Sequence, residues 1–137
     1  MRIAIRGLAV MGMGIAALTV SMAPAQAQSN EVSECAANAI ASDNATAQIN
    51  ALGRAKNLAR QAAEAANGGL IVYQAAANMH GPVSIAPCKD NGNGSWTFTV
   101  MGGPPGFQTP SIETVVTVTS SANIVDWTIK VDSNRKV

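Results

Sequence analysis

The sequence predicts an α+β fold, with one long N-terminal helix packed on one face of a three- to four-stranded antiparallel meander sheet. Three observations predict it. Residues 44–66 repeat alanine and leucine at helical spacing and stop at a Gly-Gly pair. From Leu70 onward the period changes to two, in short runs separated by turn residues. All five aromatic residues, Tyr73, Trp96, Phe98, Phe107 and Trp127, follow the helix. The helix therefore supplies a smooth face and the strands supply the bulk.

Ser42, Asp43 and Asn44 offer capping oxygens at the start of the helix, and Asn67-Gly68-Gly69 offers a left-handed stop. On a helical projection Ala45, Ala51, Leu52, Ala55, Leu58, Ala59, Ala62, Ala65 and Ala66 share one arc. Arg54, Asn57, Arg60, Gln61 and Glu64 fall opposite. Two residues break the pattern: Gln48 lies inside the apolar arc and Lys56 at its edge. Gly53 within the helix costs about 1 kcal/mol relative to alanine.

Residues 70–75 (LIVYQA) read as a first strand, rich in β-branched and aromatic side chains. Residues 79–93 read as a loop, with Gly81, Pro82, Pro87 and a turn at Asn91-Gly92-Asn93-Gly94. Residues 95–101 alternate, with Trp96, Phe98 and Val100 inward. The loop GGPPGFQTP follows, and residues 111–119 alternate again. After a turn at residues 120–123, residues 124–132 place Val125, Trp127, Ile129 and Val131 inward. Residues 133–137 read as a polar tail. Short connections pair such strands antiparallel, and a single covered face calls for a single helical layer. On this reading Trp127→Ala ranks among the most damaging core changes.

Residues 1–27 read as a signal peptide. Arg2 and Arg6 form a positive start, residues 7–22 are uncharged and mostly apolar, and Ala25-Gln26-Ala27 fits a small-x-small cleavage site after Pro24. No twin-arginine pair is present, which favours the general secretory route. Cleavage after Ala27 leaves residues 28–43 as an arm, either with a helical turn over residues 35–41 or simply held by its cysteine, 44–132 as a single domain and 133–137 as the tail. It removes two of nine basic residues and none of eight acidic ones, so the net charge moves from +1 to −1. No basic field for nucleic acid remains, and no membrane span follows the leader. Cys35 and Cys88 are the only cysteines. In an oxidising compartment they read as a disulfide; a redox or metal pair is the alternative, with fewer ligands at hand than a metal wants.

The order of helix, Gly-Gly stop and antiparallel meander over about residues 45–132 resembles the PepSY-type module of secreted bacterial proteins. It is similar, more loosely, to the cystatin-like fold. The ending SIETVVTVTSSANIVDWTIKVD and the stretch RAKNLARQAAEAANGGL carry the resemblance. The PepSY resemblance implies an extracytoplasmic domain that restrains peptidases or binds at the cell envelope. The cystatin resemblance implies a wedge against cysteine peptidases. Gln74-Ala75-Ala76-Ala77-Asn78 lacks the Val and Gly of the cystatin Gln-x-Val-x-Gly hairpin, so no inhibitory residue carries over.

The candidate interaction site is the loop Gly102-Gly103-Pro104-Pro105-Gly106-Phe107. Pro104 and Pro105 stiffen it, and a stiff loop loses little entropy on binding. Phe107 either stands at the tip, which favours a partner, an extracytoplasmic protein, or folds back over the sheet edge as a plug, which favours the structural reading. An open sheet edge is a second docking line. For catalysis the candidates are His80, the only histidine, and the outward carboxylates Glu113 and Asp126, whose strands are neighbours. No nucleophile elbow, zinc-protease helix or phosphate loop occurs, and nothing calls for a cofactor. The reading is a small secreted binding or envelope module and not an enzyme. The alternatives are an enzyme built on those three residues or a purely structural envelope component.

Overall fold

The computed structural model describes residues 31–137. The expected signal peptide lies outside the described residues, as does the start of the arm at residues 28–30. Helices α1 (Glu34–Ala41) and α2 (Ala45–Ala66) precede five strands: β1 (Gln74–Ala75), β2 (Cys88–Gly92), β3 (Ser95–Gly103), β4 (Ile112–Ser120) and β5 (Trp127–Lys136). All pairings are antiparallel. β1 and β2 share one edge of β3, at opposite ends of it; β4 and then β5 continue from its other edge. The α+β architecture with one long helix is as expected, and the sheet has five strands where three to four were expected.

α2 buries Ala51, Leu52, Ala55, Lys56, Ala59, Ala63 and Glu64. The covered stripe is thus rotated from the expected arc: Ala65 and Ala66 are exposed, and Glu64, expected outside, is inside. Arg60 makes that burial tolerable by donating to Glu64 Oε1 at 2.6 Å. The Lys56 ammonium donates to the Gly81 carbonyl. Burial, and then the charge of Arg60, hold the Lys56 pKa below its ordinary value. Asn44 occupies the N-cap position without a side-chain bond. At the other end Gly68 (φ +96°) and Gly69 (φ +88°) turn the chain, and Gly69 N–H donates to the Glu64 carbonyl at 2.8 Å.

The expected arm contains α1. Ser33 Oγ accepts from Ala36 N–H at 3.3 Å, and Cys35, Ala36 and Ala39 are buried. Cys35 and Cys88 form a disulfide, with their Cα atoms 5.8 Å apart. It ties α1 to β2 and explains the strand that the sequence conceals. Cys88 is paired opposite Phe98, so the bridge delivers CKDNG to the edge of β3.

Residues 70–73 form a turn where a strand was expected, because both Val72 and Tyr73 N–H donate to the Gly69 carbonyl. Tyr73 alone of the four is buried. The expected tail is also corrected. β5 continues to Lys136, and a bulge lies where Val115 and Val116 face Ser133 and Val131. The extra residue, Asp132, reverses the alternation. Asn134 therefore turns to the helix side, where it accepts from Thr114 Oγ1 at 2.8 Å and donates to Asn67 Oδ1 at 2.9 Å. Arg135 turns outward to Glu113.

The core is centred on Leu52, Tyr73, Met79, Phe98, Val100, Val116 and Val118, all fully buried. Trp127 is half-buried, stacked on Trp96 with ring centroids 6.3 Å apart and capped by the Arg54 guanidinium. It is a rim residue, so Phe98 and not Trp127 anchors the core. Ile129 and Val131 lie on the helix side, yet they are 42% and 40% exposed: α2 contacts β5, but β5 is the last strand of the sheet and has no neighbour on its other side among the described residues. Among the described residues no helix is long and apolar enough to cross a membrane.

Candidate binding face

The face begins with two adjoining glycines at the end of β3. Gly102 has no room for a β-carbon, since the Tyr73 hydroxyl and the Gln74 carbonyl fill that space. This contact fixes β1 beside β3, with Gln74 opposite Gly103. The chain then turns through Pro104-Pro105-Gly106-Phe107. Phe107 N–H donates to the Pro104 carbonyl at 3.0 Å, and Gly106 has φ +82°. Proline before a left-handed glycine is the residue order of a type II turn. Pro104 and Pro105 are exposed. Phe107 is half-buried and folds back over Gly103: a β-carbon there would meet Phe107 Cγ at 3.1 Å. Of the two positions expected for Phe107, the folded-back one is observed, the one that favours a structural role for this side chain, and the prolines form the tip.

A groove of about 550 Å³ opens between this loop and the segment after β1. Gln74, Ala76, Ala77 and His80 line one side; Phe107, Gln108 and Pro110 line the other. Leu70, Ile71 and Val72 stand exposed just before β1, and Ile71 is 93% exposed. A stiff turn, a partly apolar groove and three uncovered aliphatic side chains thus follow one another along this edge. A run of three exposed aliphatic side chains marks an interaction site more often than an isolated residue does. The aliphatic triplet was read from sequence as the start of a first strand. The signal against that reading is the Gly-Gly pair directly before it, because two left-handed residues force a turn.

The candidate catalytic residues are not brought together. His80 is exposed at the rim of the groove. Glu113 Oε1 accepts from Arg135 Nη2 and Nε, both at 2.8 Å. Asp126 lies just ahead of β5, beside the far end of β4. From Glu113 to Ser120 the strand rises roughly 24 Å, so the two carboxylates do not converge although their strands are neighbours. Among the described residues no group of three or more His, Cys, Asp or Glu side chains is placed to hold a metal.

The outer sheet face carries a hydrogen-bond chain across four strands. Asn91 Nδ2 donates to Thr97 Oγ1 at 2.8 Å, Thr97 and Thr117 hydroxyls lie 3.1 Å apart, and Thr117 donates to Asp132. These threonines satisfy one another. Gln48, the polar residue in the apolar arc, faces a polar cleft of about 300 Å³ with Asn38, Asp90 and Asn93 beside Trp96. Asp90 is occupied there, accepting from Asn38 Nδ2 and Gly92 N–H, as suits a turn.

No protein-family model, no curated protein and no solved structure matches this chain. What its fold and candidate face define is a two-layer, disulfide-tied α+β domain with an exposed apolar edge.

Proposed function

We propose that this protein is an exported module that binds an extracytoplasmic protein through the edge formed by Leu70, Ile71, Val72, the groove and the Pro104-Pro105 turn. The observation that carries the reading is Ile71, an isoleucine that is 93% exposed and flanked by two more exposed aliphatic residues, just ahead of the strand that pairs with Gly103 at the start of the rigid turn. Uncovering such side chains has no benefit to the folded chain alone, and covering them on a partner releases their apolar hydration. The rigid turn and the groove provide a shape that needs little ordering on contact.

Export is supported by the sequence of residues 1–27 and by the Cys35–Cys88 disulfide, which suits an oxidising compartment. Cleavage falls after Ala27, so the exported chain begins at Gln28; N-terminal sequencing that returns Met1 would refute this. The partner class implied by the PepSY resemblance is an envelope peptidase. The test is native capture of the exported protein beside its Ile71→Asp and Phe107→Ala forms. The reading requires one defined protein that both substitutions release, with the far-ultraviolet spectrum unchanged. Retention by both variants, or no defined companion at all, would leave the edge without this role.

A further inference from the structure

Of the described exposed aliphatic side chains, a second group lies far from the binding edge: Ile124, Val125, Ile129, Val131 and Val137, all in or beside β5. β5 is the last strand of its sheet, and its other side pairs with nothing among the described residues. Ser121 N–H donates to the Asp126 carbonyl at 2.8 Å. Antiparallel alternation then turns the main-chain groups of Thr128 and Lys130 to β4, and those of Trp127, Ile129 and Val131 outward. A row of unpaired donors and acceptors beside uncovered apolar side chains is a template for another strand.

We propose that this edge is the seam of a two-fold dimer in which β5 pairs antiparallel with β5 of a second copy, Thr128 lying on the axis. The choice of occupant rests on self-complementarity. With Thr128 facing the partner's Thr128, Trp127 faces the partner's Ile129 and Val125 faces the partner's Val131. Asp126 faces the partner's Lys130, twice by symmetry. Asp126 has no ion-pair partner of its own among the described residues; Lys130 pairs with Asp132 at 3.3 Å but is 75% exposed, so its ammonium is open to a second carboxylate. Opposite charges directly across a strand pair stabilise it, and like charges oppose it. A register centred on Lys130 would set two ammonium groups face to face. One centred on Val131 would run into the bulge at Asp132. The bulge thereby confines regular pairing to the stretch that is self-complementary.

The geometry also closes. The helix-side gap over β5 lies between two anchors, Arg54 over Trp127 at one end and Asn67 bonded to Asn134 at the other. Ile129 and Val131 lie between them on the strand, and the half-buried Leu58 and Ala62 between them on the helix. Two copies related by the axis bring the exposed Ile129 and Val131 of each strand together. An isologous contact of this kind ends at two subunits. The opposite edge carries only β1 and β2, two and five residues long.

The experiment is sedimentation equilibrium of the exported, oxidised protein over a wide concentration range. Lys130→Glu and the charge-swapped double variant Asp126→Lys/Lys130→Glu are run beside it. Both positions are exposed, so folding is retained; circular dichroism checks this. The dimer seam requires a concentration-dependent dimer, weakened about tenfold or more by Lys130→Glu and restored by the swap. Thr128→Cys then forms a covalent dimer on mild oxidation, since facing residues lie within disulfide reach, and Ser133→Cys does not. A monomer at every concentration overturns the proposal. So does a dimer indifferent to Lys130→Glu, or an added strand that belongs to a different protein.

Discussion

Tyr73 is the residue on which the sheet edge turns. It is fully buried, its ring and hydroxyl fill the space that a side chain on Gly102 would take, and its hydroxyl has no hydrogen-bond partner of good geometry. The Thr114 hydroxyl acts on the phenol, but its oxygen is engaged with Asn67 and Asn134. Burial pushes the phenol pKa above 10; Thr114 opposes that shift and the Glu64 charge adds to it. An unpartnered buried hydroxyl contributes little, so Tyr73→Phe should change stability at neutral pH by no more than about 1 kcal/mol. The alkaline limb discriminates. Above pH 10 the unfolded chain loses the tyrosine proton while the folded chain keeps it, so folding stability falls as pH rises through that window. Tyr73 is the only tyrosine in the chain. Urea unfolding from pH 9 to 11 should therefore show Tyr73→Phe gaining on the parent protein as pH rises. Parallel curves would place the phenol in contact with solvent.

The elements differ in how plainly the sequence announces them, and the reasons are physical. α2, β3 and β4 each bury one face and wet the other, so their periods are written in the residue types. β2 (CKDNG) buries no apolar face and is held by main-chain pairing and by the Cys35–Cys88 bridge, which leaves no alternation to read. The end of β5 was legible only as polar, because the bulge at Asp132 exchanges its faces. Leu70, Ile71 and Val72 misled in the other direction, since an aliphatic run reads as buried whether or not anything covers it. α1 was half-legible: its cysteine signalled attachment, but an eight-residue helix carries too few turns for a period to stand out. The bridge joins residues 53 apart in sequence. Replacing both cysteines, Cys35→Ser with Cys88→Ser, should cost about 2–5 kcal/mol. Hydrogen exchange should show the amides of α1 and β2 losing protection before those of β3 and β4. Uniform loss across the sheet would mean that the bridge supports the whole core and not this corner.

At the scale of the molecule, the apolar edge before β1 and the proposed seam on β5 lie on opposite margins of one sheet. A dimer through β5 would present two binding edges pointing away from each other, and a partner with two sites would gain by effective concentration without any new contact. The binding edge was legible in part. The prolines and glycines of residues 102–106 marked a stiff loop, and Phe107 and His80 were noticed separately. Their meeting across one groove was not legible, because it depends on β1 being only two residues long. The measurement that tests the account most directly is site-specific photo-crosslinking in the native compartment. The crosslinker is placed at Ile71, at Pro105 and, as a control, at Gln61 on the exposed side of α2. A binding edge predicts one defined protein adduct shared by positions 71 and 105 and missing from position 61. Equal labelling from all three positions, or none from 71 and 105, would contradict it.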